Sequence, residues 1–550
     1  MIRKVEEIPF SRLPRVSDLF RDYVIHSSKT LAFYQHSPTL DEIERAAADT
    51  LAHVSFSRGE LVAILKRQNA RFGADEKNHQ SIQELEQNDC VAVVTGQQVG
   101  IFGGPLYTIH KTLTALRLAA ELRNKRIRAV PVFWMDSEDH DLAEVTHITV
   151  PGAEGSATSM DFRNRIFGSS SPEGVPVGSV EFPKEIVSAV AEFSASLPDS
   201  DWKSETLSWL ERAYAPGTTF ADAFGRLMLH LFRNTGLVIF NPLDPEAKRL
   251  LRALFRRCIG NNSEIDRALL ERNRALEQAG YEPQVNLTES STLLFLTGEN
   301  QRRALTRHDD HFELKNTERS FTEAELLQMA DRSPEIFSPN VLLRPLAQDH
   351  LFPTVTYVAG PAEVAYFAQA ETLYRFYERP MPVIWPRAGF TLVEPEIALD
   401  MDRYAIHLDD LFQGRQHLVE GALQASNQGK AMSVLNDLEH NLEHSLDELR
   451  PALAAVDVSL DHAAETVKRK VLHQVETIRG RFARIEASQN SELLRAMDRI
   501  LGCCYPNGNL QERELSVHPF AARHGLALLG ALRDLLNPED FSHRVVYLEK

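Results

Sequence analysis

Two stretches of this sequence gather residues that could handle an anion or an amine. In "VVTGQQVGIFGGPLYTIHK" (93–111) an apolar run meets glycines, a proline, and then a histidine and a lysine inside an amphipathic pattern. Gly96, Gly103 and Gly104 carry no Cβ and let the backbone approach a ligand closely, with Gln97 and Gln98 beside them. Pro105 suits a first helical position, and the N–H groups just beyond it attract an anion. Tyr107, His110 and Lys111 follow, and His110 and Lys111 could offset phosphate charge during catalysis. In "FWMDSEDHDLAE" (133–144), Asp136, Glu138, Asp139 and His140 crowd the end of a second apolar run. These acids suit an ammonium group or an oxygen-rich Mg²⁺ site. The plainer alternative is a helix start capped by Asp136 or Ser137.

A third stretch, "SPNVLLRPLAQDHLFPTVTYVAGPAEVAYFAQ" (338–369), mixes apolar residues with Asn340, Arg344, Gln348, Asp349 and His350. Arg344 could clamp a carboxylate or phosphate through two parallel hydrogen bonds, or equally pair with a nearby acid. Gly360 and Pro361 then open another helix that carries Glu363, an echo of the Gly-Pro bend at 104–105. Arg387 follows the last apolar run of this region.

No common phosphate loop fits the first stretch. The window 105–112 keeps Lys111 and Thr112 of a Walker A motif but lacks both glycines, and Gly96 is followed by no G-x-G-x-x-G spacing. A closer spelling is the H-x-G-H of class I aminoacyl-tRNA synthetases and nucleotidylyltransferases, of which Tyr107 to His110 keeps one histidine.

The elements that must position these groups follow from periodicity. Residues 90–98, 104–125 and 127–140 read as strand, helix, strand, a βαβ unit that implies a parallel α/β sheet. Further strands are expected at 236–242, 291–298 and 381–387. Residues 151–200 look like a peripheral insertion, and 296–335 like a second one containing short polar hairpins. Leu435, Leu438, Leu442, Leu449 and Val456, then Leu460, Ala464, Val467, Val471, Ile478, Phe482 and Ile485, follow a rough 3–4 spacing, apart from one polar gap in the second run. They predict two long helices in an antiparallel coiled coil or a pairing surface between subunits. Near the C-terminus, Gln511, Glu512, Arg513, His518 and His524 would pack back on the core, closing a pocket or a dimer.

Composition narrows the classes. A net charge of −17 over 550 residues argues against nucleic-acid binding by phosphate neutralisation. Four cysteines without a CxxC pair support neither a disulfide framework nor a zinc site. No run of ~18 apolar residues suggests a membrane span, and no leader pattern precedes the first elements, so the chain reads as cytoplasmic.

These segments, with "VIWPRAGFTLVE" (383–394) and "YPNGNLQERELSVHPFAARHG" (505–525), resemble the BshC family along essentially the whole chain. The resemblance implies a Rossmann-like parallel-sheet core over 1–400 with connecting-peptide insertions. It also implies a helical coiled-coil domain over 401–500 that pairs two subunits, and a C-terminal segment over 501–550. The reaction attributed to the family is ligation of cysteine to the amine of glucosaminyl-malate, giving bacillithiol. On that resemblance ATP or ADP is the expected nucleotide, Mg²⁺ would accompany it, and no zinc is expected. The catalytic candidates are His110, Lys111 and Arg387, and the binding candidates are the residues named above. A nucleotidylyltransferase of the same fold and a nucleotide-binding scaffold are the rival readings.

Overall fold

Five apolar runs pair in parallel to form the central sheet of the computed structural model, which describes residues 1–54, 56–152, 155–309, 311–425 and 430–549. The strands are β1 (Val91–Gln98), β2 (Ala129–Asp136), β3 (Val238–Phe240), β4 (Thr354–Ala359) and β5 (Val383–Pro386), in the order β5-β4-β1-β2-β3. Both faces of β1 are buried as far as Gly96, which fits the apolar run Val91–Val94 at its start. Val91 and Val93 pack toward Ala115, Leu118 and Trp385, while Ala92 and Val94 join a larger core with Trp134 and Phe240. The expected Rossmann-like α/β class is the fold observed.

Helix α1 (Leu106–Asn124) connects β1 to β2. Helix α2 (Arg344–Leu351) precedes β4, and α3 (Pro361–Phe376) follows it. Chain order runs outward from β1 in one direction and from β4 in the other. The strand order therefore reverses between β1 and β4, and in open α/β sheets ligands bind at the carboxyl edge of such a reversal.

Among the described residues, three further sheets accompany the central one, the smallest a two-stranded pairing of His147–Pro151 with Ala157–Asp161. The strands at 291–298 and 301–314 do form polar hairpins, in a five-stranded antiparallel sheet closed by Phe337–Pro339. The third sheet joins Ile2–Ile8 and Gly389–Val393 on either side of His543–Leu548. Residues 151–200, expected to be peripheral, contribute Phe162, Phe182 and Phe193 to the second core cluster. Phe102 stacks on Phe193 with ring centroids 4.5 Å apart. The Gly, Ser and Pro content of that stretch marks tight turns around buried aromatics rather than a surface excursion.

Helices α4 (Lys430–Ala454) and α5 (Val458–Gln489) lie antiparallel. Arg450 bonds Asp461 at 2.7 Å and Glu465 at 2.6 Å, and Lys468 bonds Asp447 at 2.8 Å, pairings that only opposite chain directions allow. Leu438, Leu449, Val456, Val467, Ile478 and Ile485 remain exposed along this arm. No helix among the described residues is long and apolar enough to cross a membrane.

Candidate functional site

A cavity of 330 Å³ opens at the carboxyl edge of the sheet, where the strand order reverses. Gly96, Gln97 and Gln98 end β1 on one side, Asp136 ends β2, and Gly360 with Glu363 starts α3 on the other. Tyr107, Lys111, Arg344, Gln348 and Arg387 complete the set of expected residues that line it. Gly96 is required by space: a Cβ there would lie 2.7 Å from the Trp134 carbonyl oxygen of the neighbouring strand.

Three of the four cations that line the cleft, Lys111, Arg344 and Arg387, arrive with a carboxylate. Lys111 Nζ donates to the Gly96 carbonyl at 2.8 Å and to Gln97 Oε1 at 2.9 Å, and pairs with Glu363 Oε2 at 2.5 Å. Burial pushes the Lys111 ammonium toward neutrality, with Glu363 opposing that shift. Glu363 also accepts from the Gly360 N–H at 2.6 Å and from the Tyr357 hydroxyl at 2.8 Å. Arg344 forms a tight ion pair with Asp136 and reaches the Tyr366 hydroxyl at 3.4 Å. Its guanidinium is held well above the usual range: burial, the largest single influence, opposes this, but Asp136 together with Tyr366 and Tyr357 outweighs it. Arg387 donates to Glu512 Oε1 at 2.6 Å, and its guanidinium stands 5.9 Å from the Tyr107 ring centroid.

Two N–H donors at the cleft wall are unmet. The Gln348 side-chain nitrogen and the Trp134 indole nitrogen are buried and have no partner among the described residues. A buried donor without an acceptor costs about 1–3 kcal/mol, a cost that a bound acceptor would remove.

Several expected site residues lie elsewhere. His110 is fully buried, with Nδ1 3.1 Å from Glu512 Oε2 and its ring edge-on to Phe390, so it cannot meet a phosphate. Burial lowers its proton affinity, and the Glu512 bond only partly restores it. Gly103 and Gly104 adopt φ of 84° and 67° in a buried turn, and Gly103 faces Leu227. The start of α1 is already plugged: the Leu106 N–H donates to the Leu515 carbonyl at 2.8 Å, and Pro105 bridges to Ser516. Of the two Gly-Pro bends, the second, at Gly360, faces the cleft.

The acids at 136–139 diverge and build no common metal site. Asp136 serves Arg344, Glu138 is buried in an ion pair with Lys248, and Asp139 accepts from Gln98 at 2.5 Å. Burial would raise the Asp139 carboxyl, but that bond and the His140 N–H hold it below its ordinary value. Asp141, rather than Asp136 or Ser137, caps the short helix that follows, accepting from the Glu144 N–H at 3.1 Å. His140 faces Arg302 in a separate cavity, 3.3 Å from its guanidinium. Asn340 caps the approach to α2, accepting from the N–H groups of Leu342 and Leu343 at 3.0 Å. Among the described residues, no group of three or more His, Cys, Asp or Glu side chains gathers as a metal site.

The most consequential residue is one that spacing did not single out. Glu512 is buried between His110 and Arg387, also accepts from the Phe390 N–H at 3.2 Å, and is held as a carboxylate well below the usual range. Burial opposes that ionisation, and Arg387 followed by His110 overcomes it. Only the polar run Gln511, Glu512 and Arg513 near the C-terminus signalled it. Trp134, Tyr357 and Arg513 also line the cleft.

A reversed-order parallel sheet with a polar cleft at its reversal, over which a distal segment supplies a buried carboxylate, defines a Rossmann-like α/β enzyme. The family models resolve it further. Residues 4–388 match the N-terminal Rossmann-like domain of bacillithiol biosynthesis BshC, and residues 390–548 match its C-terminal coiled-coil domain. The chain belongs to the BshC family, a ligase family by the name its relatives carry. A protein of Koribacter versatilis is 37% identical, covering 98% of this chain and 99% of its own length. One of Salinibacter ruber is 36% identical over 99% and 98%, and one of Solibacter usitatus 34% over 98% of each. All three are named "Putative cysteine ligase BshC".

Proposed function

We propose that this protein joins the carboxylate of cysteine to the amine of glucosaminyl-malate, forming the amide of bacillithiol. The observation that carries the reading is the Asp136–Arg344 pair in a cleft of a chain whose full-length relatives are named as cysteine ligases. A fixed acid beside a fixed guanidinium is complementary to a zwitterionic amino acid. Asp136 takes the ammonium of cysteine, and Arg344 steers its carboxylate toward the middle of the cleft.

A free carboxylate needs a better leaving group before an amine can displace it. ATP is the co-substrate that would supply it: the amine nitrogen bonds to the carbonyl carbon, loses a proton, and the phosphate-bearing group departs. Arg387 and the start of α3 line the cleft and would face such phosphates. Mg²⁺ would enter with the nucleotide, held largely by phosphate oxygens, as this ion commonly is. His110 acts one layer behind, by fixing Glu512 against Arg387. The exposed apolar residues of α4 and α5 support a homodimer built through the arm.

The test incubates the purified chain with cysteine, glucosaminyl-malate and ATP and follows the thiol product by mass spectrometry. Product that depends on all three is expected. Product formed without nucleotide would remove ATP from the mechanism, and no product under any activated cysteine donor would remove the ligase assignment.

A further inference from the structure

A second chamber of 210 Å³ adjoins the cleft, and the two share Pro361, Arg387 and Arg513 as lining. Two distant parts of the chain enclose it, the N-terminal segment around Pro14, Arg15 and Val16 and the turn from Tyr505 to Arg513. Arg15, in the left-handed region at φ 56°, donates to Asn509 Oδ1 at 2.5 Å and ties the two segments together. Asn507 and Gly508 in the same turn are left-handed as well, at 53° and 70°. For Arg15 and Asn507, unlike Gly508, backbone in that region costs free energy that the surroundings must impose, which marks the chamber wall as held in place rather than slack.

The charges are what distinguish it. Four charged side chains line the chamber: Arg15, Arg387, Glu512 and Arg513. Glu512 is committed to Arg387 and His110. That leaves Arg15 and Arg513, and among the described residues neither has a carboxylate partner. Away from the shared border at Arg513, the main cleft is the opposite case, because Lys111, Arg344 and Arg387 each already hold an acid. An anion entering the cleft competes with those carboxylates, whereas one entering the chamber meets two guanidiniums with none. The planar fork of each matches a carboxylate.

We propose that this chamber receives a dicarboxylate arm of the amine substrate, one carboxylate at Arg513 on the border with the cleft and the other at Arg15. That the arm belongs to the amine substrate rests on the ligase reading above. The chamber's preference for a dicarboxylate rests on the charges alone. Anchored there, the substrate would present its amine across the shared boundary at Arg387, toward cysteine held at Asp136 and Arg344. Arg513 is thus a specificity-determining residue, and the sign of the effect requires binding to weaken as salt screens the exposed guanidiniums.

Calorimetric titration of the full-length chain with malate, as the bare arm, and with lactate, as its monocarboxylate counterpart, tests this. The wild type is expected to prefer malate. Arg15→Ala and Arg513→Ala should each weaken malate by roughly ten-fold, and the double variant should lose the preference, while Arg513→Lys recovers part of it. Both residues are exposed, so folding is expected to survive. In turnover, the double variant should raise KM for glucosaminyl-malate and spare kcat. A double variant that binds malate as the wild type does, or a wild type indifferent between malate and lactate, overturns the chamber assignment. Malate binding that needs both arginines in a protein that makes no thiol product supports the chamber and removes the ligase reading instead.

Discussion

Glu512 and Arg387, far apart in the chain, meet at 2.6 Å inside the protein, and the second oxygen of the same carboxylate holds His110. Breaking a buried pair by removing one partner strands the other charge, at a cost of about 3–5 kcal/mol. Glu512→Ala is expected to lose stability on that scale in denaturant titration. Glu512→Gln, which keeps the shape, should lose less. An alanine variant as stable as the wild type would show that Arg387 has another neutralising group.

Lys111 and Glu363 should behave as a coupled unit. Lys111→Met removes the donor for Gly96, Gln97 and Glu363, leaving buried acceptors unmet at about 1–3 kcal/mol. In a double-mutant cycle with Glu363→Gln, the two losses are expected to fall short of additive by about 1 kcal/mol or more. Strict additivity would mean the pair contributes nothing as a pair.

Acid should destabilise the fold through its buried imidazoles. Burial lowers His518 and His543 from 6.5 to about 4. Between these values the unfolded chain binds protons that the folded one refuses, so unfolding takes protons up and stability rises with pH. Their contribution is whole above pH 6.5 and is lost as pH falls toward 4. His518→Gln is expected to reduce proton uptake on unfolding near pH 5 by about one, read from the slope of unfolding free energy against pH. An unchanged slope would mean that His518 is protonated in the folded protein.

Gly96→Ala places a methyl 2.7 Å from a main-chain oxygen that cannot swing aside. Overpacking of this kind costs about 1–3 kcal/mol, and here it also displaces the carbonyl that holds Lys111. Weaker binding of cysteine by calorimetry, together with a lower melting temperature, is expected. Unchanged binding would separate the strand end from the site.

The arm of α4 and α5 should pair two subunits. Val467→Glu and Ile478→Glu, at exposed apolar positions, are expected to convert a dimer to a folded monomer in sedimentation equilibrium, with circular dichroism unchanged. A wild-type chain that sediments as a monomer would refute the pairing.

The sheet was legible because strand and helix periodicities are local, and both faces of β1 had to be apolar. The cleft was half legible for the same reason, since strand-end residues such as Gln97, Asp136 and Gly360 fall at an edge that topology dictates. What the spelling around 105–110 concealed was direction. His110 and Lys111 are neighbours on α1, yet Lys111 reaches the cleft while His110 turns into the core. Whether a helix start is open or covered depends on Leu515, more than four hundred positions away, and no spacing rule reports that. Glu512 was hidden for the same reason: its partners are set by how the C-terminal segment returns.

That return has a consequence for synthesis. A nascent chain that has emerged as far as residue 500 holds every strand of the central sheet, along with Arg387, but not the carboxylate that neutralises it. The same chain lacks the Leu515 carbonyl that stops the start of α1. Ribosomal stalling or proteolytic clipping before 512 would therefore leave a sheet with a stranded cation and an open helix end, rather than a slower version of the enzyme. Competence arrives in one step, when the final fifty residues dock.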